Sequence, residues 1–334
     1  ALLASGCSGD GDGTGGSDAV DRPERSGARI TVEAAAGSAG GDIAEAGAED
    51  GAEDGAGDGA AGDCPWPVAG HDLARTHTSP CAGITRDTLE RLQPAWFHET
   101  DAEVTGAPAV DGTLVYFGDW DGILRALDRT DGSEQWQVQL PTSPHVYSGQ
   151  IPTSPALAVI EGIPAVVAAS GSSVNALARS DGSIIWSVDL ADADDPDDPI
   201  EVEGSPVLVG DTVLVPSDVH GADGHRGGLV ALSATDGSES WRFDPEQDVP
   251  ARGCGAIWGS PAASVAEDLV VVGTGNCNHD ESWTRYSEAI VGLTLSGGEP
   301  LWSFQPHEKG NRNDWDFAGA PNLYEIDGRP VAGL

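Results

Sequence analysis

Apolar residues from about position 94 onward come in short runs that are separated by glycine, proline and acidic turns. The clearest runs are residues 113–117, 164–168, 212–215 and 269–272. They are apolar at nearly every position rather than at alternate positions, which indicates strands that are buried on both faces. Residues 85–93 predict a short helix at best, so this region is expected to be all-β.

A triplet of two small residues and a proline recurs five times in the same region. Its prolines are Pro108, Pro155, Pro206, Pro261 and Pro321, with spacings of 47, 51, 55 and 60 residues. Each of the first four triplets is followed by two strand-like runs, a turn and a tryptophan. Four strands per repeat of this length, without a long helix, are typical of a propeller blade. The pattern therefore predicts about four and a half blades of a β-propeller within residues 64–334.

The turn of each repeat is a Gly-Gly or Asp-Gly pair, and the tryptophan follows it by four residues. The four tryptophans are Trp136, Trp186, Trp241 and Trp302. Asp-Gly favours a tight hairpin. We expect each tryptophan to leave the turn on the next strand and to pack back over its own hairpin.

The first 63 residues have a different composition. Residues 8–63 are mainly Gly, Ala, Asp, Glu and Ser, and such a segment cannot bury enough apolar surface to order itself. We predict an acidic, disordered spacer there. Residues 1–7 read Ala-Leu-Leu-Ala-Ser-Gly-Cys, the pattern at the end of a bacterial lipoprotein signal, with Cys7 as the lipidated residue. The sequence thus predicts a domain that is anchored to the cell envelope only through a lipid.

The formal net charge is −39, and Lys309 is the only lysine. A nucleic-acid-binding surface needs a basic footprint, so nucleic acid is excluded as a partner. Electrostatic binding to anionic lipid is excluded for the same reason. The acidic surface is interpreted as a means of staying soluble in a salty medium.

Besides Cys7, four cysteines are present: Cys64, Cys81, Cys254 and Cys277. They allow three pairings, of which the two local ones, Cys64 with Cys81 and Cys254 with Cys277, are the simplest. Either disulfide would indicate an oxidising compartment. There is no Cys-x-x-Cys-His, so this chain attaches no c-type haem.

Residues 252–283 hold the densest group of residues that could do chemistry. Trp258 lies among glycines, and a buried strand then ends in Gly273-Thr274-Gly275-Asn276, with Asp280 four residues later. A flat indole, an amide oxygen and a carboxylate could form a pocket with a cation ligand and a base. The same residues could also be an ordinary turn after an ordinary strand.

The tryptophan repeat resembles the docking motif of quinoprotein propellers, and residues 126–136 match it best. More closely, the chain resembles the polyvinyl-alcohol-dehydrogenase-like branch of pyrroloquinoline quinone (PQQ) dehydrogenases. The motifs that carry this likeness are residues 66–73, 117–122, 253–260, 273–276 and 314–323. Members of that family have eight blades, so the resemblance implies further blades after Leu334.

The resemblance also implies roles for particular residues. Trp258 would be the floor under the quinone, with Gly255 and Arg226 also at the cofactor site. Asn276 and Asp223 would bind Ca²⁺. The family motif has Glu where this chain has Asp223, and that motif is one residue longer. Asp280 would be the general base. Asp314 and Asp316 are interpreted as residues that cap a blade turn.

The function implied is oxidation of a small or polymeric alcohol, with PQQ and Ca²⁺ as cofactors and a cytochrome-type electron acceptor. Carboxylates and oxygen ligands suit that chemistry, since calcium takes oxygen donors and a carboxylate can accept a hydroxyl proton. The alternative is a non-catalytic propeller of the same type that binds protein partners or scaffolds assembly at the cell envelope, because such propellers share the docking motif.

Overall fold

The computed structural model describes residues 28–33, 64–79, 81, 86–309, 315–317 and 319–334. These residues form twenty β-strands and one 3-10 helix, Leu89–Arg91, so the all-β prediction is confirmed. The helix expected over residues 85–93 is reduced to that single turn. None of the described residues forms a helix that is long and apolar enough to cross a membrane.

Four sheets of four strands follow one another along the described chain, and in each sheet the sequential strands are neighbours. The first sheet contains β3 (Ala109–Val110), β4 (Leu114–Gly118), β5 (Ile123–Asp128) and β6 (Glu134–Gln139). The second contains β7 (Ala156–Ile160), β8 (Ile163–Ser170), β9 (Ser173–Ala178) and β10 (Ile184–Asp189). The third contains β11 (Val207–Val209), β12 (Thr212–Ser217), β13 (Gly228–Ser233) and β14 (Glu239–Phe243). The fourth contains β15 (Ala262–Ser264), β16 (Leu269–Gly273), β17 (Ile290–Thr294) and β18 (Pro300–Phe304).

Two shorter pairs flank these four blades. Strands β19 (Asn322–Ile326) and β20 (Arg329–Gly333) form a two-stranded sheet after the fourth blade. Strands β1 (Ala28–Glu33) and β2 (Pro94–Thr100) pair antiparallel before the first blade. The described chain therefore holds four complete propeller blades and two partial ones.

The hydrophobic core lies between successive sheets rather than under a single one. Val166 and Leu177 of the second blade pack with Tyr116 and Leu124 of the first. The same arrangement joins the second blade to the third and the third to the fourth. Each inner strand is thus covered on both faces, which is why its residues are apolar without alternation.

Three tryptophans of the repeat, Trp136, Trp186 and Trp241, bind the following blade, so the expectation that each packs over its own hairpin is wrong for them. Trp302 instead lies against Gly292 of its own blade. A register shift just before each tryptophan of the repeat adds one residue to the outer strand. The indole N–H then donates to a carbonyl in the next blade: Trp96 to Arg129 at 3.0 Å, Trp136 to Arg179 at 2.9 Å, Trp186 to Ala234 at 2.8 Å and Trp241 to Leu295 at 3.1 Å.

The turn glycine of the next blade lies against each indole ring. A Cβ atom on Gly132, Gly182, Gly237 or Gly298 would come within 2.8 Å of the ring or closer. All four glycines have a positive φ, so the turn itself also favours glycine. The repeated glycine and tryptophan are therefore two halves of one contact between neighbouring blades.

The proline triplets form a second set of contacts between blades. The Ser154 N–H donates to Ser205 Oγ at 3.0 Å, and the Ser205 N–H donates to Ser260 Oγ at 2.9 Å. A Cβ atom on Gly204 would lie 3.0 Å from the backbone of Gly259. Small residues are needed because the backbones of successive triplets approach closely.

Part of the predicted spacer is a strand. Ala28–Glu33 pairs with Pro94–Thr100, with Ile30 opposite His98, so the prediction that residues 8–63 lack structure is wrong for these six residues. This segment contains three consecutive β-branched residues, Ile30, Thr31 and Val32, which favour a strand. The rest of residues 8–63, and residues 1–7 with Cys7, lie outside the described residues.

Asp111 ties the first blade to the second. Its carboxylate accepts hydrogen bonds from the N–H groups of Thr113 and Leu114, both at 2.7 Å, and from the Tyr116 hydroxyl at 2.9 Å. It also pairs with Arg179 of the second blade at 3.0 Å. Burial alone would raise the pKa of Asp111, but these donors and the Arg179 cation hold that pKa below its ordinary value.

We expect Asp111→Asn to lower the free energy of unfolding by about 1–3 kcal/mol at pH 7, because the donors lose their charged acceptor. Since the folded-state pKa is depressed, the carboxylate's contribution is present above the unfolded pKa of about 3.9 and is lost as pH falls through the folded pKa. Urea unfolding at neutral and acidic pH measures this. A gap between wild type and variant that stays constant on acidification would contradict the assignment.

Candidate functional site

A cavity of about 740 Å³ opens among the segments that connect the described blades. Its walls come from residues that precede the first strand of a blade, such as Glu203 and Trp258, and residues that follow the second strand, such as Asp218 and Asn276. Asp316, which precedes β19, also lines it. Equivalent positions of successive blades thus converge on one space.

The segment that carries Trp258 is fastened to the end of β16. A disulfide joins Cys254 to Cys277, the Gly255 N–H donates to the Asn276 carbonyl at 3.0 Å, and the Gly275 N–H donates to the Ala256 carbonyl at 2.9 Å. The second disulfide joins Cys64 to Cys81. The cross-linked loop gives Trp258 and Asn276 a common support.

A buried carboxylate holds the start of the same loop. Glu246 is 1% exposed and accepts the N–H groups of Arg252 at 2.8 Å and Gly253 at 3.0 Å. Burial raises the pKa of Glu246. Gly253 and Gly255 have φ values of +69° and +71°, so both turns in this loop favour glycine.

Trp258, Asn276 and Asp316 are brought together at Gly275. The Asn276 N–H donates to Asp316 Oδ1 at 2.5 Å. A Cβ atom on Gly275 would lie 3.6 Å from Trp258 Nε1 and 3.7 Å from Asp316 Oδ1. A side chain at position 275 would therefore contact both the indole edge and the carboxylate on the cavity wall.

A second group of polar residues lies at the same cavity. Nε2 of His220 contacts Glu201 Oε1 and lies 3.9 Å from Glu203 Oε2, while Nδ1 lies 3.5 Å from Asp218 Oδ2. The hydrogen bond to Glu201 raises the pKa of His220 to about 9, and burial raises the pKa of Glu203. Tyr147 covers the group, with its ring 4.9 Å from the imidazole ring.

The family profile described as "Glucose/ethanol/alcohol dehydrogenase, beta-propeller domain" matches residues 160–332, more than half of the 334-residue chain. The chain belongs to this quinoprotein propeller family. The resemblance stated from the motifs is thereby confirmed. A second profile, described as "Outer membrane protein assembly factor BamB", matches residues 93–218 and ends before Trp258, Asn276 and Asp316.

Relatives with named activities match most of the chain at low identity. Quinohemoprotein alcohol dehydrogenase ADH IIB of Pseudomonas putida is 26% identical over 313 residues, covering 79% of this chain and 43% of that protein. Polyvinylalcohol dehydrogenase of Pseudomonas sp is 24% identical over 266 residues, covering 71% of this chain and 40% of that protein. The solved structure of quinohemoprotein alcohol dehydrogenase ADHIIG from Pseudomonas putida HK5 matches with a TM-score of 0.65 at 22% identity. The match covers 80% of this chain and 44% of that structure's chain. The propeller fold is confirmed, and the chain spans less than half the length of each of these proteins.

Three residues predicted for the quinoprotein site do not line the cavity. The Asp223 side chain is 64% exposed and pairs with Arg252 at 2.7 Å. Arg226 donates to Asp244 at 2.6 Å and to the carbonyls of Glu246 and Val249 at 2.7 Å, which braces that loop. Asp280 is exposed, although its neighbours Asn278 and His279 line the cavity.

Gly255 shapes the loop rather than the cavity wall. A Cβ atom there would lie 2.9 Å from Pro245 Cβ, and its positive φ already disfavours other residues. Among the residues predicted to bind the cofactor, bind the metal or act as the base, Trp258 and Asn276 are thus the two that line the cavity.

Among the cavity residues, Arg252, Glu203 and His220 received no role from the sequence, and Asp316 is interpreted there only as the cap of a blade turn. Arg252 directly precedes the glycine-rich Trp258 loop, and Asp316 lies in the motif 314–323 that carried the family resemblance. Neither of these positions in the sequence indicated that the side chain would line a cavity. Glu203 directly precedes a repeated triplet, and that adjacency could have drawn attention to it.

Proposed function

We propose that the chain carries the cofactor side of a PQQ-dependent dehydrogenase that oxidises an alcohol and passes electrons to a separate acceptor. The observation that carries this proposal is the meeting of Trp258, Asn276 and Asp316 at one cavity, around Gly275. A flat aromatic wall, an amide oxygen and a carboxylate are the groups that binding and deprotonation in such a reaction require.

The residues present fit a flat, acidic quinone. The face of Trp258 can stack on a planar ring system, and Gly275 places no side chain beside that indole. Asn276 offers an oxygen ligand to a hard cation such as Ca²⁺. Arg252 also lines this wall of the cavity, whereas Arg226 braces the neighbouring loop.

The negative charge of the cavity lining supports a metal ion as part of the cofactor complex. Glu203, Asp218 and Asp316 line the cavity, while Arg252 is already paired with Asp223 and Glu281. A tricarboxylate such as PQQ would meet repulsion from those side chains unless a cation bound with it. We propose Ca²⁺ for that role, held in part by Asn276, whereas Asp223 is exposed, does not line the cavity and pairs with Arg252.

When bound, PQQ would supply the two-electron acceptor for oxidation of the alcohol. The chain's own contribution would be to orient the cofactor on Trp258 and to accept the hydroxyl proton. Asp316 suits the second task better than Asp280, because its carboxylate lines the cavity and is fixed by the Asn276 N–H at 2.5 Å.

The test is alcohol-dependent reduction of an artificial dye by the purified protein after loading with PQQ and Ca²⁺. Small primary alcohols, secondary alcohols and oligomers of vinyl alcohol form the substrate panel, because the two relatives above are named for alcohol and polyvinyl alcohol. Dye reduction that requires PQQ, metal and alcohol together would support the proposal. Bound PQQ without turnover on any of them would count against it.

We further propose an extracytoplasmic location, with a lipid on Cys7 as anchor and a cytochrome-type protein as electron acceptor. Two disulfides support an oxidising compartment. Mass spectrometry of the native N-terminus tests the anchor.

A non-catalytic propeller that binds protein partners at the envelope is the second candidate. The match of residues 93–218 to the assembly-factor profile favours it. That match covers blade repeats that any member of this propeller class needs, and it omits the Trp258 loop. The dehydrogenase therefore remains the proposal that accounts for the cavity.

A further inference from the structure

We propose that Glu201, Glu203 and His220 form a binding site for one divalent first-row transition-metal ion. One carboxylate oxygen from each glutamate and one imidazole nitrogen all lie within 4.8 Å of one another. Atoms this close converge on a single ion after small side-chain adjustments, since such ions bind nitrogen and oxygen ligands at about 2.0–2.2 Å. The proposal does not depend on the quinone.

The backbone fixes two of the three ligands relative to each other. Glu201 and Asp218 form an isolated β-bridge, with N···O distances of 3.0 and 2.9 Å. Asp218 Oδ1 then accepts the N–H groups of Val219 at 2.6 Å and His220 at 2.9 Å. This turn holds His220 at a φ of +47° and directs it back toward Glu201.

Neighbouring groups orient each ligand, as they do around metal ions in proteins. The Tyr147 N–H donates to both oxygens of Glu201, at 2.9 and 3.1 Å, and the Ser148 hydroxyl donates to Glu203. His220 directs Nε2 toward the two glutamates and Nδ1 toward Asp218, 3.5 Å away. A carboxylate behind a metal-binding histidine is the usual second partner of its ring.

The group carries an excess of buried negative charge. The side chains of Glu201, Glu203 and Asp218 are only 1%, 11% and 12% exposed, and His220 is the cationic group among them. Even with His220 protonated, three carboxylates and one imidazolium leave a net charge of −2. Arg252 lines the same cavity, but it is paired with Asp223 and Glu281. Buried charges are costly unless they are paired or coordinate a cation, and a divalent ion would supply the missing charge.

The donor set selects the class of metal. Ca²⁺ and Mg²⁺ prefer oxygen ligands only, whereas imidazole suits Zn²⁺ and the neighbouring transition metals. Two carboxylates and one imidazole should therefore bind Mn²⁺, Co²⁺ or Zn²⁺ in preference to Ca²⁺. This separates the site from the oxygen-only Ca²⁺ site proposed at Asn276.

The test uses the purified protein, stripped with a chelator, freed of it and kept without PQQ. Titration with Mn²⁺, followed by the electron paramagnetic resonance of free Mn²⁺, should show one bound ion per chain that Zn²⁺ displaces and Ca²⁺ does not. His220→Gln and Glu203→Gln should each weaken binding by about 10-fold or more. His279→Gln, which changes another histidine of the same cavity, should leave the affinity unchanged.

A spectroscopic readout separates ligand loss from general damage. The visible bands of bound Co²⁺ should change in His220→Gln, whose fold is checked by circular dichroism. Should that variant fail to fold, Glu203→Gln decides the question alone. No saturable Mn²⁺ binding, binding that both variants retain, or full displacement by Ca²⁺ would overturn the proposal. Because PQQ is absent throughout, none of these results bears on the dehydrogenase activity.

Discussion

Replacing Asp316 by Asn should lower alcohol turnover of the PQQ-loaded protein by about 10²–10⁴-fold, the usual effect of removing a general base. The amide still accepts the hydrogen bond that Asp316 Oδ1 receives from the Asn276 N–H at 2.5 Å, so the local structure should persist. It can no longer take up the hydroxyl proton. PQQ affinity should therefore stay within a few-fold of wild type, because Asp316 acts on the substrate.

The matched control is Asp280→Asn, a carboxylate in the same region of sequence that is exposed and outside the cavity lining. It should retain nearly full turnover. Steady-state dye reduction for both variants, with PQQ binding measured in parallel, separates the two assignments. Loss of turnover in Asp280→Asn with normal turnover in Asp316→Asn would restore Asp280 as the base and contradict the present assignment.

Replacing Trp186 by Ala should lower the free energy of unfolding by about 3–5 kcal/mol, the range for deleting a large aromatic side chain from a core. Trp186 is 8% exposed and belongs to the core between the second and third blades. Its N–H donates to the Ala234 carbonyl at 2.8 Å, and Gly237 lies against its ring. The substitution removes both the packing and the hydrogen bond that join the two blades.

Trp186→Phe is the control, because it keeps an aromatic ring and loses the N–H donor. Trp186→Phe should lower the free energy of unfolding clearly less than Trp186→Ala does. About 1 kcal/mol of the loss in Trp186→Phe should come from the missing hydrogen bond. Urea unfolding gives both values. Equal losses for the two variants would mean that the ring contributes little to the contact between blades.

The blade architecture was predictable because the repeat is local. A proline triplet, two apolar runs and an Asp-Gly turn each occupy consecutive residues, so one blade can be read from one stretch of sequence. The direction of the docking tryptophan was not predictable in that way. It accompanies a one-residue register shift before Trp136, Trp186 and Trp241, and no residue type marks that shift.

The site was predictable only where its supporting residues are adjacent in sequence. Trp258 and Asn276 reach the cavity because a disulfide and two backbone hydrogen bonds fasten their segments together. Asp223 and Asp280 lie on loops whose direction depends on distant partners, such as the pairing of Asp223 with Arg252. Glu203 and Asp316 approach the same cavity from blade starts more than 100 residues apart, and their convergence requires the ring of blades.

We propose that PQQ binds against Trp258, beside Gly275. Calorimetric titration of the purified protein with PQQ, in the presence of Ca²⁺, tests it most directly. The matched variants are Gly275→Ala, whose methyl group would lie 3.2 Å from the Ala256 carbonyl oxygen and beside Trp258 and Asp316, and Gly297→Ala, whose nearest neighbour atom is 3.7 Å away. We expect saturable binding to wild type and Gly297→Ala, and binding at least about 10-fold weaker, or 1.4 kcal/mol, in Gly275→Ala. No binding to wild type, or equal affinity for all three proteins, would contradict the account.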